Sequence, residues 1–481
     1  MRVLEQYEPK EALRYFEEIC NIPHGSGNME AISDYCVEFA KAHQLEVIQD
    51  ELKNVIIVKE ATQGYESVPP IILQGHLDMV CEKTLESTID FEKDPLTLVT
   101  DGEFVWAKGT TLGGDDGIAV AYALAVLASA ELCHPRIEVV LTVDEEIGLV
   151  GAFGVDLSVL KGRRLINIDS EEEGYVWISC AGGAALEGKI PMSFQEQHGV
   201  AYDIAVTGLQ GGHSGAEIQL GRGNSNLLMG RVLHALYPRV HYNIAALYCG
   251  SKDNAIPRHT TATLVIADED KEILEQLIRE QTVILQREYE SSDPDIRVTC
   301  QNAGLQNQKV LTKDSEARLR QILLNIPNGI QAMSMDIKDL VETSLNIGTI
   351  ILDTKELTIG ACIRSSKESA LKFLIERVVS FVEFMGGTST VSGAYPGWEY
   401  KKDSELRDTV VKAYQEIYGE VPQIEAIHAG LECGILSNKL PGLDCVSIGP
   451  DMFGVHTYEE KLSIPSTERT WKLLVKVLEM K

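Results

Sequence analysis

Histidine and acidic side chains stand in this sequence directly after short apolar stretches of the kind that form buried strands. The apolar segments 71–74, 137–143 and 165–168 are each followed by such a group, and a glycine-rich turn with two aspartates opens an apolar helix. One group alone is more typical of a turn or a helix cap than of a site. The carboxyl ends of neighbouring parallel strands face one crevice, however, so several groups in this position indicate a shared site. The residues concerned are His76, Asp78, Asp115, Asp116, Glu145, Glu146, Asp169 and His456.

Carboxylates gathered at one crevice would repel one another, and bound cations would remove that repulsion. Imidazole and carboxylate together form a hard-to-borderline ligand set, for which zinc is the commonest occupant, with cobalt and manganese as alternatives. The candidate ligands are more numerous than one tetrahedral zinc ion needs. The pattern therefore predicts two divalent metal ions that share a carboxylate, an arrangement known from aminopeptidases.

The alternation of apolar strands with helices predicts an α/β protein, in which helices flank a mostly parallel sheet. After about residue 185 the strands alternate between polar and apolar residues, which is typical of a separate α+β domain. We therefore expect a catalytic domain of residues 1–185 and 400–481, interrupted by an inserted domain of residues 186–399. The predicted strands are 54–58, 71–74, 137–143, 165–168, 202–208, 244–250, 260–267, 357–363, 424–428 and 443–448, and the predicted helices are 9–21, 29–43, 117–130, 225–236, 271–289, 367–385 and 404–418.

Composition excludes several classes of protein. With 72 acidic and 43 basic residues the formal net charge is −29, which counts against binding to nucleic acids or anionic membranes. The longest apolar stretch, 118–127, is shorter than the roughly 20 residues of a membrane-spanning helix, and the charged N-terminal segment lacks the apolar core of a secretion signal. Ten cysteines without a C-x-x-C pair are typical of reduced thiols. We expect a cytoplasmic protein.

Seven segments together carry a resemblance to a known family. They are GHLDMV, TTLGGDDGIAVA, DEEIGLVGA, INIDSEEEG, GGHSG, NAIPR and GVHTYEE. In this order, and over the whole chain, they resemble the motifs of the di-zinc metallopeptidases of the carboxypeptidase/aminoacylase/dipeptidase family. Within that family the sequence most resembles the bacterial aminoacyl-histidine (Xaa-His) dipeptidases. The resemblance implies metal-dependent hydrolysis of dipeptides, Xaa-His dipeptides such as β-alanyl-histidine among them.

The resemblance also assigns the metal ligands. One carboxylate would bridge both ions, and each ion would take two further ligands of its own. These ligands are Asp115 as the bridge, His76 and Asp169 on one side, and Glu146 and His456 on the other.

Further roles are implied for the residues beside these ligands. Asp78 would hydrogen-bond the far nitrogen of His76 and thereby fix its tautomer. Glu145 would act as the general base toward a metal-activated water and return the proton to the departing amine. Adjacent glutamates can reach one site only if the backbone turns there, which Gly148 favours. A cis peptide bond between Asp115 and Asp116 is implied as well.

The inserted domain contributes a second set of candidates. By resemblance, His213 and Asn254 are donors to the substrate carbonyl oxygen, and Arg364 binds the substrate's C-terminal carboxylate. Taken alone, these three residues are more typical of turns and surfaces. Glu432 is a candidate partner for the substrate's free amine, or else a buried structural carboxylate. The resemblance further implies a homodimer formed through the inserted domain, which would act as a hinged lid and carry His213 into the partner's active site.

Three other functions stay open on the sequence. A serine hydrolase would use Ser214 beside His213, although the G-x-S-x-G pattern is absent. A deacylase or aminoacylase, or a tripeptidase, of the same family would apply identical metal chemistry to another substrate. A binding protein with this fold would need neither the proposed ligands nor Glu145, and all of these are present.

Overall fold

The computed structural model describes residues 2–250 and 252–481, which form two compact units. Unit 1 comprises the chain up to Cys180 together with Trp398–Ala426 and Leu431–Lys481. Unit 2 comprises Ala181–Gly397 and the short segment Ile427–Gly430. The chain therefore enters unit 2 twice. The sequence contains no feature that predicts the second, short segment.

The first part of unit 1 alternates strands with helices. Its helices are α1 (Lys10–Cys20), α2 (Glu30–Ala42), α3 (Gly114–Ala128) and α4 (Val150–Gly154). Its strands are β1 (Glu46–Gln49), β2 (Val55–Lys59), β3 (Ile71–His76), β4 (Leu98–Thr100), β5 (Phe104–Ala107), β6 (Ile137–Thr142), β7 (Arg164–Asn167) and β8 (Tyr175–Cys180).

Unit 2 follows with longer strands. These are β9 (Gly182–Pro191), β10 (Phe194–Thr207), β11 (Gly212–His213), β12 (Tyr242–Cys249), β13 (Ala255–Ile256), β14 (Thr260–Ile266), β15 (Arg297–Leu311), β16 (Gly329–Met333), β17 (Val341–Leu352), β18 (Glu356–Ser365) and β19 (Thr388–Tyr395). The helices are α5 (Ser225–Leu236), α6 (Lys271–Glu288), α7 (Lys313–Asn325) and α8 (Glu368–Phe384), with short 3₁₀ turns at Ile218–Leu220 and Asp268–Asp270.

The chain then returns to unit 1 and completes it. The remaining helices are α9 (Glu405–Tyr418), α10 (Glu432–Lys439) and α11 (Ile464–Glu479), and the remaining strands are β20 (Gln423–Ile427), β21 (Asp444–Ser447), β22 (Met452–Phe453) and β23 (Lys461–Ser463). A small sheet of order β22-β23-β5-β4 joins this last part of the chain to the first.

An eight-stranded sheet of order β1-β2-β6-β3-β7-β21-β8-β20 forms the centre of unit 1. The middle strands β6, β3, β7 and β21 pair in parallel, whereas β1–β2, β2–β6 and β21–β8 are antiparallel. The predicted α/β class is confirmed, and the parallel part occupies the middle of the sheet. Strands β3 and β6 are buried along their whole length, as their continuous apolar sequences predict. Their carboxyl ends meet at one edge, where the candidate residues follow.

Helix α3 is the apolar helix that the sequence predicts. Every residue from 116 to 127 is buried, and the helix packs against α1 and β3. A helix that is apolar on all sides is stable only when it is covered on all sides. In the described part of the chain, no helix combines the length and the apolar character needed to cross a membrane.

Unit 2 is built on a nine-stranded sheet, in which eight strands follow the order β15-β10-β14-β12-β17-β18-β9-β19 and the ninth, β16, pairs with β17. The apolar side chains of its helices form a core with those of the strands. The elements of unit 2 that the sequence did not indicate are β9, β11, β13, β15, β16, β17, β19 and α7. Strand β15 contains the polar run QNAGLQNQ, whose residues have little intrinsic preference for strands. It forms because β10 pairs with it along its whole length, so tertiary pairing decides here.

We expect Gly75→Ala to destabilise unit 1. A Cβ atom at this position would lie 2.5 Å from Oδ2 of Asp116 and 2.6 Å from Cβ of Ala119, closer than the packing allows. Overpacking of this kind costs about 1–3 kcal/mol, which a lower urea midpoint would report. Gly117→Ala, in the helix α3 that carries Asp116 and Ala119, is the control, because its Cβ would meet Phe16 at an ordinary 3.4 Å. Equal midpoints for the two variants would contradict the expectation.

Candidate functional site

Asp115 lies at the start of α3 with one carboxylate oxygen toward each of two histidines. Its Oδ1 is 3.0 Å from Nε2 of His76, the last residue of β3. Its Oδ2 is 3.1 Å from Nε2 of His456, in the loop between β22 and β23. The peptide bond between Asp115 and Asp116 is cis, as the resemblance implies. One carboxylate thus faces both histidines, which is the arrangement that a bridging ligand requires.

Two further acids flank this bridge. Oε1 of Glu146 is 2.7 Å from Nε2 of His456, and Oδ1 of Asp169 is 3.7 Å from Nε2 of His76. The ligand atoms of Asp115, Glu146 and His456 all lie within 4.8 Å of one another. The structure therefore brings together all five residues that the sequence analysis names as metal ligands.

The chain turns sharply after β6, so Glu145 and Glu146 face the same site. The N–H groups of Gly148 and Leu149 donate to the carbonyl oxygen of Glu145 at 3.0 and 2.8 Å. Gly148 has a φ of 117°, which only glycine adopts readily, and Leu149 has a φ of 60°. The ligand atoms of both glutamates lie within 4.8 Å of that of His76, although adjacent side chains of an extended strand would diverge.

Asp78 holds this turn through its carboxylate. Its Oδ1 accepts the N–H of Glu145 at 2.9 Å, and its Oδ2 accepts the N–H of Glu146 at 3.3 Å. Nδ1 of His76 is 3.0 Å from the carbonyl oxygen of Asp78 but 3.5 Å from its Oδ1. The far nitrogen of His76 therefore lies within reach of both the carbonyl oxygen and the carboxylate of Asp78, and the carbonyl oxygen is the nearer of the two.

Asp116 and Ser26 also belong to the site, although neither was assigned a specific role from the sequence. Asp116 groups with His76 and Asp169 within 4.8 Å, and its Oδ2 accepts the backbone N–H of His76 at 3.1 Å. Oγ of Ser26 donates to Oδ2 of Asp78 at 2.8 Å. The position of Asp116 beside Asp115 is a usable signal, but nothing in the local sequence connects Ser26 with a residue so distant in the chain.

Burial, mutual repulsion and hydrogen bonding shift the pKa values of the acids and of a histidine in the site. Burial raises the pKa of Glu145 to about 8, and the charges of neighbouring acids add to this effect while the nearby imidazole opposes it. Burial also raises the pKa of Asp169 well above its usual value, with the neighbouring aspartates adding to the shift. Hydrogen bonds to Asp115 and Glu146 raise the pKa of His456 to about 10. The site thus has a strongly negative field, which cations would neutralise.

The donor set fits two divalent cations. Asp115 offers one oxygen to each side, and each side adds an imidazole nitrogen and a carboxylate oxygen. These are the donors that zinc and similar divalent ions bind in catalytic centres. Among the described residues, no cysteine belongs to any of these groups, so a purely soft-metal site does not fit.

Unit 2 brings together its own candidates. Strands β11 and β13 pair His213 with Ala255, and the N–H of Ser214 donates to the carbonyl oxygen of Asn254 at 2.9 Å. Nη2 of Arg364 is 3.4 Å from Nε2 of His213. His213 and Arg364 are therefore in contact, and Asn254 lies in the turn directly before β13.

Arg364 is a buried cation whose partners are neutral. Its side chain belongs to a residue only 7% exposed, and Nη1 donates to the hydroxyl of Tyr395 at 3.1 Å. In the described part of the chain, its Nε has no hydrogen-bond partner. A buried guanidinium of this kind can bind an anionic group strongly, since the carboxylate gains charge-assisted hydrogen bonds away from water.

Glu432 lies in the interior of unit 1. It is fully buried, and its carboxylate accepts hydrogen bonds from Gln74 and from Oγ1 of Thr142, the latter at 2.6 Å. Burial raises the pKa of Glu432 to about 7. This environment favours the structural role for Glu432 over contact with a substrate amine.

Comparisons with known proteins agree with the geometry. Residues 72–480 match the profile of peptidase family M20/M25/M40. The chain is 36% identical over 487 residues to the cytosol non-specific dipeptidase of Escherichia coli (strain K12), covering 100% of this chain and 99% of that protein. It superposes on the crystal structure of aminoacylhistidine dipeptidase from Vibrio alginolyticus with a TM-score of 0.93 and 38% identity, covering 99% and 97% of the chains. Aminopeptidase PepT from Bacillus cereus shares the fold at a TM-score of 0.55 and 15% identity, covering 98% of each chain.

Proposed function

The chain belongs to peptidase family M20/M25/M40 and is a peptide hydrolase, and we propose that it cleaves dipeptides at a centre of two divalent metal ions. The observation that carries this proposal is the Asp115 carboxylate, with one oxygen toward His76 and the other toward His456. Asp169 and Glu146 complete the two sides of the centre. We take zinc as the occupant, with cobalt or manganese as substitutes.

When bound, such ions polarise the scissile carbonyl group and activate water for attack. Glu145 transfers the protons. Its main-chain N–H is fixed by Asp78, and its side chain lies beside His76 and Glu146. A carboxylate at this position takes a proton from the attacking water and delivers it to the departing amine.

Unit 2 recognises the end of the substrate. Arg364 is the cation that binds the C-terminal carboxylate of a dipeptide, and His213 and Asn254 donate to the carbonyl oxygen of the scissile bond. An anchor for the free carboxylate selects short peptides, because it sets the distance from the chain end to the bond that is cleaved. We propose Xaa-His dipeptides as preferred substrates, which agrees with the aminoacylhistidine specificity named for the Vibrio alginolyticus protein.

We also propose a cytoplasmic location. The E. coli relative is described as a cytosol protein. All ten cysteines are free thiols in the structure, and most of them are buried, as is usual for proteins of a reducing compartment.

We expect the purified protein to hydrolyse β-alanyl-histidine and other Xaa-His dipeptides, to lose this activity on chelation and to regain it with added Zn²⁺. The same panel contains N-acetyl amino acids, tripeptides and dipeptide amides, with release of the free amino acid measured. Amides should react poorly, since they offer no carboxylate to Arg364. Faster cleavage of acyl amino acids or tripeptides would favour the deacylase or the tripeptidase, and activity that survives full metal removal would contradict the metal centre.

Glu145→Gln should reduce kcat by about 10²–10⁴-fold while both metal ions are retained, because the substitution removes the base and leaves the five ligands. Metal content is measured by elemental analysis and kcat with β-alanyl-histidine. Glu131→Gln, an exposed residue of unit 1, is the control for the loss of one charge. Loss of an ion would instead make Glu145 a ligand, and near-normal turnover would exclude it as the base.

We further propose that the protein is a homodimer formed through residues 186–399, the inserted lid domain of the sequence analysis, with His213 serving the partner's active site. The sheet of unit 2 supports this assembly, since β15 is an edge strand in the described part of the chain. Exposed edges are commonly covered by pairing with a second copy. Symmetry would then make both active sites equivalent.

Mixing His213→Ala chains with Glu145→Gln chains should restore activity that neither variant has alone. If His213 acts in trans, one of the two sites in a mixed dimer combines an intact Glu145 with an intact His213 from the other chain. Random exchange gives about one quarter of the wild-type number of competent sites, which initial rates would report. Absence of recovery, once subunit exchange is verified by differently tagged chains, would show that His213 does not act in trans.

A further inference from the structure

Glu460 is a buried acid that binds three consecutive main-chain N–H groups. Its Oε2 accepts the N–H of Leu112 at 2.8 Å and that of Gly113 at 3.2 Å, and its Oε1 accepts the N–H of Gly114 at 2.8 Å. The residue is only 3% exposed. Every oxygen of this carboxylate is thus engaged by the turn that opens helix α3.

The two ends of this contact belong to different parts of the proposed metal centre. The N–H groups lie directly before Asp115, the shared carboxylate. Glu460 follows His456 by one turn of chain, since the N–H of Glu460 donates to the carbonyl oxygen of Thr457 at 3.1 Å. On its other side begins β23, which pairs with β5 and β22. Glu460 therefore ties the loop that carries His456 to the turn that carries Asp115.

This contact through Glu460 is important because the side chain of His456 is only loosely packed. Its side chain is 50% exposed, and its ring contacts only Asp115 and Glu146 among its hydrogen-bond partners in the described chain. The N-terminus of α3 also lacks a cap of its own, because its N-cap residue, Gly113, has no side chain that could accept a hydrogen bond. A carboxylate at a helix N-terminus satisfies the free N–H groups and is stabilised by the helix dipole.

We propose that Glu460 is a positioning residue of the metal centre, which sets the distance between His456 and Asp115 through the three N–H groups of residues 112–114. This inference rests on the proposed di-metal function, and it adds a residue that touches neither substrate nor metal. Removal of such outer contacts typically weakens metal binding about 10–100-fold. The effect should fall first on the ion that Asp115, Glu146 and His456 would hold.

The test measures metal binding rather than turnover alone. Glu460→Gln replaces one acceptor oxygen by an NH₂ group, which cannot accept an N–H, and should weaken the binding of at least one ion about 10–100-fold in chelator competition. The absorption spectrum of the Co²⁺-loaded variant should change with the altered ligand geometry. Glu459→Gln is the matched control, because it removes the same charge from the neighbouring, exposed residue. This control should bind both ions like the wild type.

Glu460→Asp separates geometry from charge and decides the case if Glu460→Gln does not fold. Its carboxylate is one methylene shorter and cannot hold all three N–H groups in place, so its ion affinity should lie between those of wild type and Glu460→Gln. Wild-type affinity for both ions in folded Glu460→Asp or Glu460→Gln would overturn the inference, as would an equal loss in Glu459→Gln. A wild-type protein that binds two ions but cleaves no dipeptide would reject the proposed substrate and leave this inference standing.

Discussion

The arrangement of unit 1 depends on one buried carboxylate that two histidines approach from opposite sides. His76 precedes Asp115 by 39 residues and His456 follows it by 341, yet both Nε2 atoms lie within about 3 Å of its oxygens. Contacts between segments so distant in the chain form only where the fold holds the backbone of both histidines in position. The parallel pairing of β3, the cis peptide after Asp115 and the short sheet around β23 all meet at this carboxylate.

Buried acids in this protein are repeatedly stabilised by main-chain amides. Asp78 binds the N–H groups of Glu145 and Glu146, and Glu460 binds those of residues 112–114. Asp293 of unit 2 likewise accepts the N–H groups of Gln210 and Gly223, both at 2.8 Å. Amides satisfy a carboxylate without adding a net positive charge. Near the proposed metal centre this is an advantage, because a lysine or arginine there would repel the cations.

The two units carry opposite chemistry. Unit 1 gathers acids and imidazoles, which suits cations, and unit 2 gathers Arg364 with His213, which suits an anion. In unit 2 the fold keeps a guanidinium buried beside neutral partners, so its charge stays available to a ligand. A dipeptide has both a carbonyl group to be polarised and a carboxylate to be anchored.

The sequence by itself determined the central strands of unit 1 and the residues that follow them. The segments around His76, Glu145 and Asp169 were identifiable because continuous apolar strands are distinctive, and their carboxyl ends must meet in a parallel sheet. The family resemblance named all five candidate ligands in advance. Local patterns suffice for such features, since each depends on a few neighbouring residues.

Only the tertiary structure decided the contacts between distant segments. The polar strand β15 exists because β10 pairs with it, and the hydrogen bonds of Asp116, Ser26 and Glu460 join segments that no local pattern relates. The far nitrogen of His76 lies nearer to the carbonyl oxygen of Asp78, at 3.0 Å, than to its carboxylate, at 3.5 Å. These outcomes depend on backbone positions set by the whole fold, and a hydrogen bond changes partner over distances of less than 1 Å.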